Sequence, residues 1–407
     1  MPGMLVSAIV ALWSGGVAGG SGFGSGLAVP FVDGSGQVLS LAPTNGRTMD
    51  VELVDLDNDG DLDAVGAAEF GQNFVLVWDN GRFVLADGAL PQGVRRDSED
   101  IAAADFDGDG FVDLLIVSED DQTNEYYLSE GVVGGEVSFR DESLLLPPAG
   151  AGGVSNAVAA ADVDGDGDVD VMIGNAGSPS QPGAQALTGG QNVLLLNTGD
   201  GGFEDATDRL PRIADRTQDL EFGDVDGDGD LDVIVANEDA NRLLINDGEG
   251  RFRDATEAAF GLRTTEETRE ADFGDIDGDG DIDLYFANVA WSGASPQDAV
   301  LLNAGDGTFE AAPAWLPKLD VFSLDVDLVD VDGDGDLDAV IASIIPGVGR
   351  PVTVLSNEGD RFEDRSDWVP EGVTGNGIDV EVADLDGDGA VDVYVGNHPS
   401  SDWLLMG

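Results

Sequence analysis

The string Asp-x-Asp-x-Asp-Gly-x-x-Asp occurs seven times in this 407-residue chain, beginning at Asp55, Asp105, Asp162, Asp224, Asp275, Asp330 and Asp384. Acids at positions 1, 3 and 5, a Gly at 6, a carbonyl at 7 and an acid at 9 bring oxygen ligands to one point. Oxygen-only sites with six to eight flexible ligands suit calcium, whereas magnesium demands a stricter octahedron and keeps its waters. The candidate ligands are Asp55, Asp57, Asp59, Asp61 and Asp63 in the first copy, and Asp105, Asp107, Asp109, Phe111 and Asp113 in the second. The third offers Asp162, Asp164, Asp166, Asp168 and Asp170, the fourth Asp224, Asp226, Asp228, Asp230 and Asp232, and the fifth Asp275, Asp277, Asp279, Asp281 and Asp283. Asp330, Asp332, Asp334, Asp336 and Asp338 follow in the sixth, and Asp384, Asp386, Asp388, Ala390 and Asp392 in the seventh. Phe111 and Ala390 are tolerable at position 7 if its ligand is the backbone carbonyl.

Turn formation alone would need one or two such residues, not a phased set of four carboxylates. An EF-hand would need Glu at position 12; that place instead holds Gly66, Ile116, Ile173, Val235, Phe286, Ile341 and Val395. Position 8 is aliphatic in all seven copies (Leu62, Val112, Val169, Leu231, Ile282, Leu337 and Val391), which anchors the loop in a core. The expected cofactor is therefore up to seven structural calcium ions. With about 1 mM calcium and affinities near 0.1 mM, each site would contribute about 1.4 kcal/mol.

The elements that must position these loops follow from the period. Successive copies start 50, 57, 62, 51, 55 and 54 residues apart, in the regime of propellers and arrays. An alternating stretch such as Val51 to Val54 or Leu220 to Gly223 precedes each loop and reads as strand A. Strand B follows as an apolar run (Leu62 to Ala68, Val169 to Gly174, Leu231 to Ala236, Ile282 to Ala287), which suits a strand covered on both faces. Strand C is expected at Phe74 to Trp78, Val193 to Leu196 and Leu243 to Ile245. Strand D opens at Phe83, Phe139, Phe203, Phe252, Phe309 and Phe362. The fold is expected to be all-β, a seven-bladed β-propeller of four-stranded antiparallel blades.

The seventh copy ends at strand C, while Phe31-Val32-Asp33 carries the signature of strand D, as in Phe203-Glu204-Asp205. An N-terminal strand added to the last blade would thus close the ring. Residues 1–26 read as a signal peptide or Gly-rich leader, and residues 27–407 as a single seven-bladed domain. Leu5 to Trp13 is an apolar run too short to span a bilayer, with small residues after it and no Lys or Arg before it. A secreted, periplasmic or cell-surface location is expected, with no membrane span.

Composition narrows the function. Asp and Glu number 82 against 17 Lys and Arg, a formal charge of −65, which argues against nucleic-acid phosphates or anionic lipid as partners. There is no cysteine, one histidine (His398) and one lysine (Lys318), so thiolate chemistry and Cys- or His-cluster metal sites are excluded. No serine elbow, phosphate loop or zinc motif occurs, and no catalytic residue is assigned. Eleven further acids stand on one face of strand A. Five places before each loop are Asp50, Asp100, Asp219, Glu270, Asp325 and Asp379; three before are Glu52, Glu221, Asp272, Asp327 and Glu381. Two readings compete for them: an electronegative channel that concentrates cations, or hydrogen bonding between blades with Arg47, Arg216 and Arg269 as partners.

Asp224 to Asp232, followed by Val233-Ile234-Val235-Ala236-Asn237 and by Leu243-Leu244-Ile245-Asn246-Asp247-Gly248-Glu249-Gly250-Arg251-Phe252, resembles the FG-GAP/VCBS-type repeat. The likeness extends to the calcium-binding propeller of the integrin α-subunit. It implies calcium in the loop between the first two strands of each blade, at the seven Asp loops. Phe222-Gly223 and Phe273-Gly274 match the Phe-Gly half of the name, but no Gly-Ala-Pro triplet is present, which favours the bacterial VCBS variety. The resulting expectation is a monomeric scaffold for adhesion, binding an unidentified protein or glycan through loops such as Ser178 to Gly190 and Trp291 to Gln297. The alternative is a secreted polysaccharide lyase or hydrolase on the same scaffold.

Overall fold

The computed structural model describes residues 31–35, 38–39, 47–177, 189–261, 267–289, 297–345 and 349–407. The leader and most of the two loops named above lie outside these residues. Seven antiparallel sheets form a ring, each ordered A-B-C-D from the axis outward. The A strands are Thr48–Val54, Ser98–Ala104, Val154–Ala161, Thr217–Gly223, Glu267–Gly274, Phe322–Val329 and Gly377–Ala383. Each lies against the A strand of the next blade, and the seventh returns to the first.

Strand B starts in each blade at position 9 of the Asp loop: Asp63–Ala68, Asp113–Ser118, Asp170–Gly177, Asp232–Asn237, Asp283–Val289, Asp338–Ile344 and Asp392–Asn397. Its near-complete burial agrees with the apolar runs in the sequence. Seven apolar clusters fill the ring, each drawn from two successive blades. The core is therefore a circle of sheet-on-sheet interfaces, and a blade cannot bury its faces alone. All the phenylalanines assigned to strand D are buried, although Phe252 precedes its two-residue strand Arg253–Asp254.

Two features depart from the simple repeat. Blade 2 has a long hairpin, Glu125–Val133 with Glu136–Asp141, turning at Gly134 and Gly135, both with positive φ. Blade 1 gains a fifth strand, Val38–Leu39, parallel to Phe83–Leu85. A two-residue strand carries no periodicity by which a sequence could announce it.

The clasp is present. Val32–Asp33 pairs antiparallel with Trp403–Met406, Val32 opposite Met406 and Asp33 opposite Leu405. Phe31, 5% exposed, packs in the cluster shared by blades 6 and 7 with Val393 and Leu405. Polar latches complete the closure. The Thr48 hydroxyl of blade 1 donates to Asp402 Oδ2 of blade 7 at 2.9 Å, and Tyr394 donates to the same oxygen at 3.1 Å. The same latch recurs between blades 3 and 4 (Thr217 to Asn192), 4 and 5 (Asn241 to Thr268), and 5 and 6 (Ser323 to Asp298). Removing the clasp's apolar anchor with Phe31→Ala should cost about 3–5 kcal/mol, read as a clearly lower melting temperature; an unchanged melt would show that the N-terminal strand does not close the ring.

Candidate metal centres and the carboxylate hub

Each Asp loop joins the end of strand A to the start of strand B. Its tight path requires two residues in the left-handed region, positions 4 and 6. Position 6 is Gly throughout, with φ between 91° and 100°, and position 4 is Gly except for Asn58, at φ 60°. Asn tolerates that region best among non-glycine residues.

The Asp side chains divide into separate tasks. At position 1, Asp55 accepts the amides of Asp59 at 3.2 Å and Gly60 at 3.1 Å, and the bond from Gly 6 recurs in all seven loops. At position 9, Asp63 accepts the Leu56 amide on one oxygen and the Trp78 amide on the other. All seven loops repeat that pair, which ties loop to strand C. Asp59, at position 5, accepts the amide of residue 7 at 3.0 Å, while Asp61 at position 7 is exposed.

Positions 1, 3 and 9 converge. In Asp55/Asp57/Asp63, Asp105/Asp107/Asp113, Asp162/Asp164/Asp170 and Asp224/Asp226/Asp232, one carboxylate oxygen from each lies within 4.8 Å of the others. Oxygens on opposite sides of a calcium ion, each about 2.4 Å away, are separated by about that much. Asp164 and Asp226, at position 3, and Asp275, at position 1, each keep a buried Oδ1 with no hydrogen-bond partner. A buried carboxylate oxygen without a donor is costly, and a hard cation would satisfy it. The donor set fits calcium, with positions 1, 3 and 9 as its anchor. The side chains at positions 5 and 7, including Phe111 and Ala390, fall outside those triads. Burial, opposed by the two amides, pushes the position-9 acids up, Asp63, Asp113, Asp170, Asp232 and Asp338 to about 7 and Asp283 to about 6.

The asparagine that follows strand C is structural. Asn246, at the end of strand C, donates from Nδ2 to Val163 O of the preceding blade's loop at 2.8 Å and to Leu231 O of its own at 3.1 Å. Asn197, Asn303 and Asn357 do the same. Each staples one Asp loop to the next, and its only sequence signal is recurrence at one place after strand C.

The eleven strand A acids gather at the hub. Asp100 accepts the Val158 amide at 2.6 Å, Asp219 that of Ala271 at 3.1 Å, Asp272 that of Leu328 at 2.7 Å, and Asp325 that of Val380 at 2.6 Å. Bonding between blades is therefore real, but the donors are backbone amides, not the arginines expected. Arg216 pairs with Glu238 and Asp239, Arg269 with Glu267 and Gln218, and Arg47 donates to the Glu69 carbonyl. These side chains precede the channel acids in strand A and meet acids at the opposite end of the blade. His398 there meets Glu69 across blades 7 and 1 at 3.0 Å. Asp50 Oδ2, Glu221 Oε1, Asp327 Oδ2 and Asp379 Oδ2 are buried without partners. Burial raises the hub acids, Asp272 to about 7, and mutual repulsion raises Asp50, Glu221, Asp327 and Asp379 further. A cleft of about 510 Å³ lies elsewhere, on blades 2 and 3, lined by Gln122, Ser143, Leu144, Leu146 and Pro148 among others, with no ionisable side chain.

The chain belongs to the FG-GAP-like repeat family, whose model matches residues 55–116, 105–173, 185–235, 224–286 and 287–341. Two solved structures of BBS1N in complex with ARL6DN, soaked with mercury or lead, share its fold at 11% identity. Their TM-scores are 0.55 and 0.57, covering 93% of this chain and 97% or 98% of theirs. An Agrocybe aegerita lectin specific for non-reducing terminal N-acetylglucosamine aligns at 19% identity and a TM-score of 0.48, over 80% of this chain and 81% of that one. No curated protein matches the sequence. Among the described residues no helix is long and apolar enough to cross a membrane.

Two measurements check this geometry. Asn246→Ala leaves two carbonyls without their donor and should cost about 1–3 kcal/mol; a melt within 1 °C of wild type would discard the staple. Because the hub acids hold protons more tightly in the folded than in the unfolded chain, they favour folding fully below their ordinary values near 4. That contribution is lost as pH rises through about 7. In chelator, the melting temperature should fall from pH 5 to pH 8, and less steeply in Asp272→Asn; a rise over that interval would contradict the assignment.

Proposed function

We propose that this chain is a calcium-stabilised propeller scaffold, extracellular or periplasmic, that presents its surface to a protein or carbohydrate ligand. The observation that carries this reading is the convergence of the acids at positions 1, 3 and 9 in four Asp loops, with buried, unpaired oxygens left on Asp164, Asp226 and Asp275. The chemistry is structural: the loop spans the entry to strand B, so cation binding and blade packing are one event. Sites of modest affinity suit millimolar calcium outside the cytoplasm. BBS1N, a propeller of the same fold, is described with a protein partner, consistent with a scaffold of this shape serving as a docking body. The neutral cleft by Leu144 is a surface on which an uncharged ligand such as a glycan would be received.

The full chain, dialysed against calcium, should retain several calcium ions by elemental analysis and melt well below its holo temperature after chelation. A metal-free chain with an unchanged melt would refute the calcium reading. Glycan-array and cell-surface pull-down binding without released oligosaccharide would support the scaffold, whereas released oligosaccharide would show an enzyme.

A further inference from the structure

Blades 1, 2 and 4 carry a glutamate at one equivalent place just after strand B: Glu69, Glu119 and Glu238. In each the backbone amide bonds to the carbonyl of the residue eight places before the Asp loop, at 2.9 Å to Arg47, 3.1 Å to Asp97 and 3.0 Å to Arg216. The three sites are therefore superposable pieces of backbone. In blade 4 the guanidinium of Arg216 pairs with Glu238 at 2.8 Å, and in blade 1 Arg47 reaches the Glu69 carbonyl. Blade 2 has Asp97 where the others have arginine, so a carboxylate stands where a cation is needed.

A third acid joins it. The strand A bulge between Ser98 and Asp100 carries Glu99, and oxygens of Asp97, Glu99 and Glu119 all lie within 4.8 Å of one another. Asp97 is only 3% exposed. Its Oδ2 accepts the Asp120 amide at 3.1 Å, while its Oδ1 is buried with no partner. Of the nearby arginines, Arg96 pairs with Glu125 and Asp121, and Arg269 pairs with Glu267 and Gln218 while its charge also reaches Glu99 and Glu119, offsetting only part of the negative field there. Glu69 and Asp121 add to the negative field on Asp97.

We infer that Asp97, Glu99 and Glu119 form a further cation site, which takes a hard divalent ion where blade 4 has the Arg216 guanidinium. It lies at the end of blade 2 opposite its Asp loop, roughly 20 Å away along a seven-residue strand. Carboxylate oxygens at this spacing suit calcium, with water completing the shell. The site does not depend on whether the Asp loops are filled.

The test compares wild type with Asp97→Arg, which restores the blade 4 pair, and with the double variant Asp97→Asn/Glu119→Gln, which removes ligand charge at constant volume. Each full-length chain is dialysed against calcium chloride, its calcium counted by elemental analysis, and its melting temperature measured in chelator. Both variants should hold one calcium fewer than wild type, and Asp97→Arg should melt higher than wild type in chelator. An equal calcium count in wild type and either natively folded variant overturns the inference. A wild type that binds a single ion, lost in both variants, would support this site while refuting calcium in the Asp loops.

Discussion

Compensation of buried carboxylate oxygens is the constraint on which this propeller depends. The chain places acids where blades meet, at position 9 of each loop and around the hub, and a buried ionised oxygen without a donor destabilises the fold. Two amides meet each position-9 carboxylate, and an amide of the next blade meets several hub acids. These bonds cross from loop to strand C and from blade to blade, so the groups most costly to bury are also those that fix the register of the ring. The oxygens left over, at position 3 of two loops and position 1 of a third, at the hub and at Asp97, mark where backbone donors run out.

Closure works on the same logic at three radii. At the axis, strand A acids reach the adjacent A strand. Midway, apolar side chains of successive blades fill seven equivalent interfaces. At one end Asn side chains staple loop to loop, and at the other Asn and Asp side chains take or give a hydrogen bond to the next blade's hydroxyl. The Val32–Asp33 strand makes the last interface resemble the rest, and the Thr48–Asp402 latch joins residues 354 positions apart. Opening any one interface exposes two blade faces, which is why a single clasp residue such as Phe31 bears on the whole ring.

Much of this was legible in the sequence because it rests on short-range pattern. The 55-residue period, the doubly apolar strand B, the strand D phenylalanines and the Phe31-Val32-Asp33 signature each announce an element whose chemistry is local. What was not legible depends on partners far along the chain. A backbone amide carries no side-chain signature, so Val158 or Val380 could not be singled out as the donor for Asp100 or Asp325, and arginines seemed the natural partners. The stapling role of Asn246 was hidden because its two carbonyl acceptors lie in different blades. The cluster at Asp97 emerges only when its backbone is laid beside that of Arg216. The division among loop acids is also a three-dimensional result: alternation treats positions 1, 3, 5, 7 and 9 alike, whereas the fold turns 1, 3 and 9 inward.

If calcium completes the loops, it should quiet the amides that already point at their carboxylates. The most direct measurement is residue-resolved hydrogen exchange of the full chain with calcium and in chelator, at one pH. Chelation should accelerate exchange at the loop amides of Gly60, Gly110, Gly167, Gly229, Gly280, Gly335 and Gly389, whose acceptors are the position-1 acids, with strand B amides following. Identical protection in both conditions, in a chain shown to bind calcium, would contradict the claim that the loops are metal centres holding the ring together.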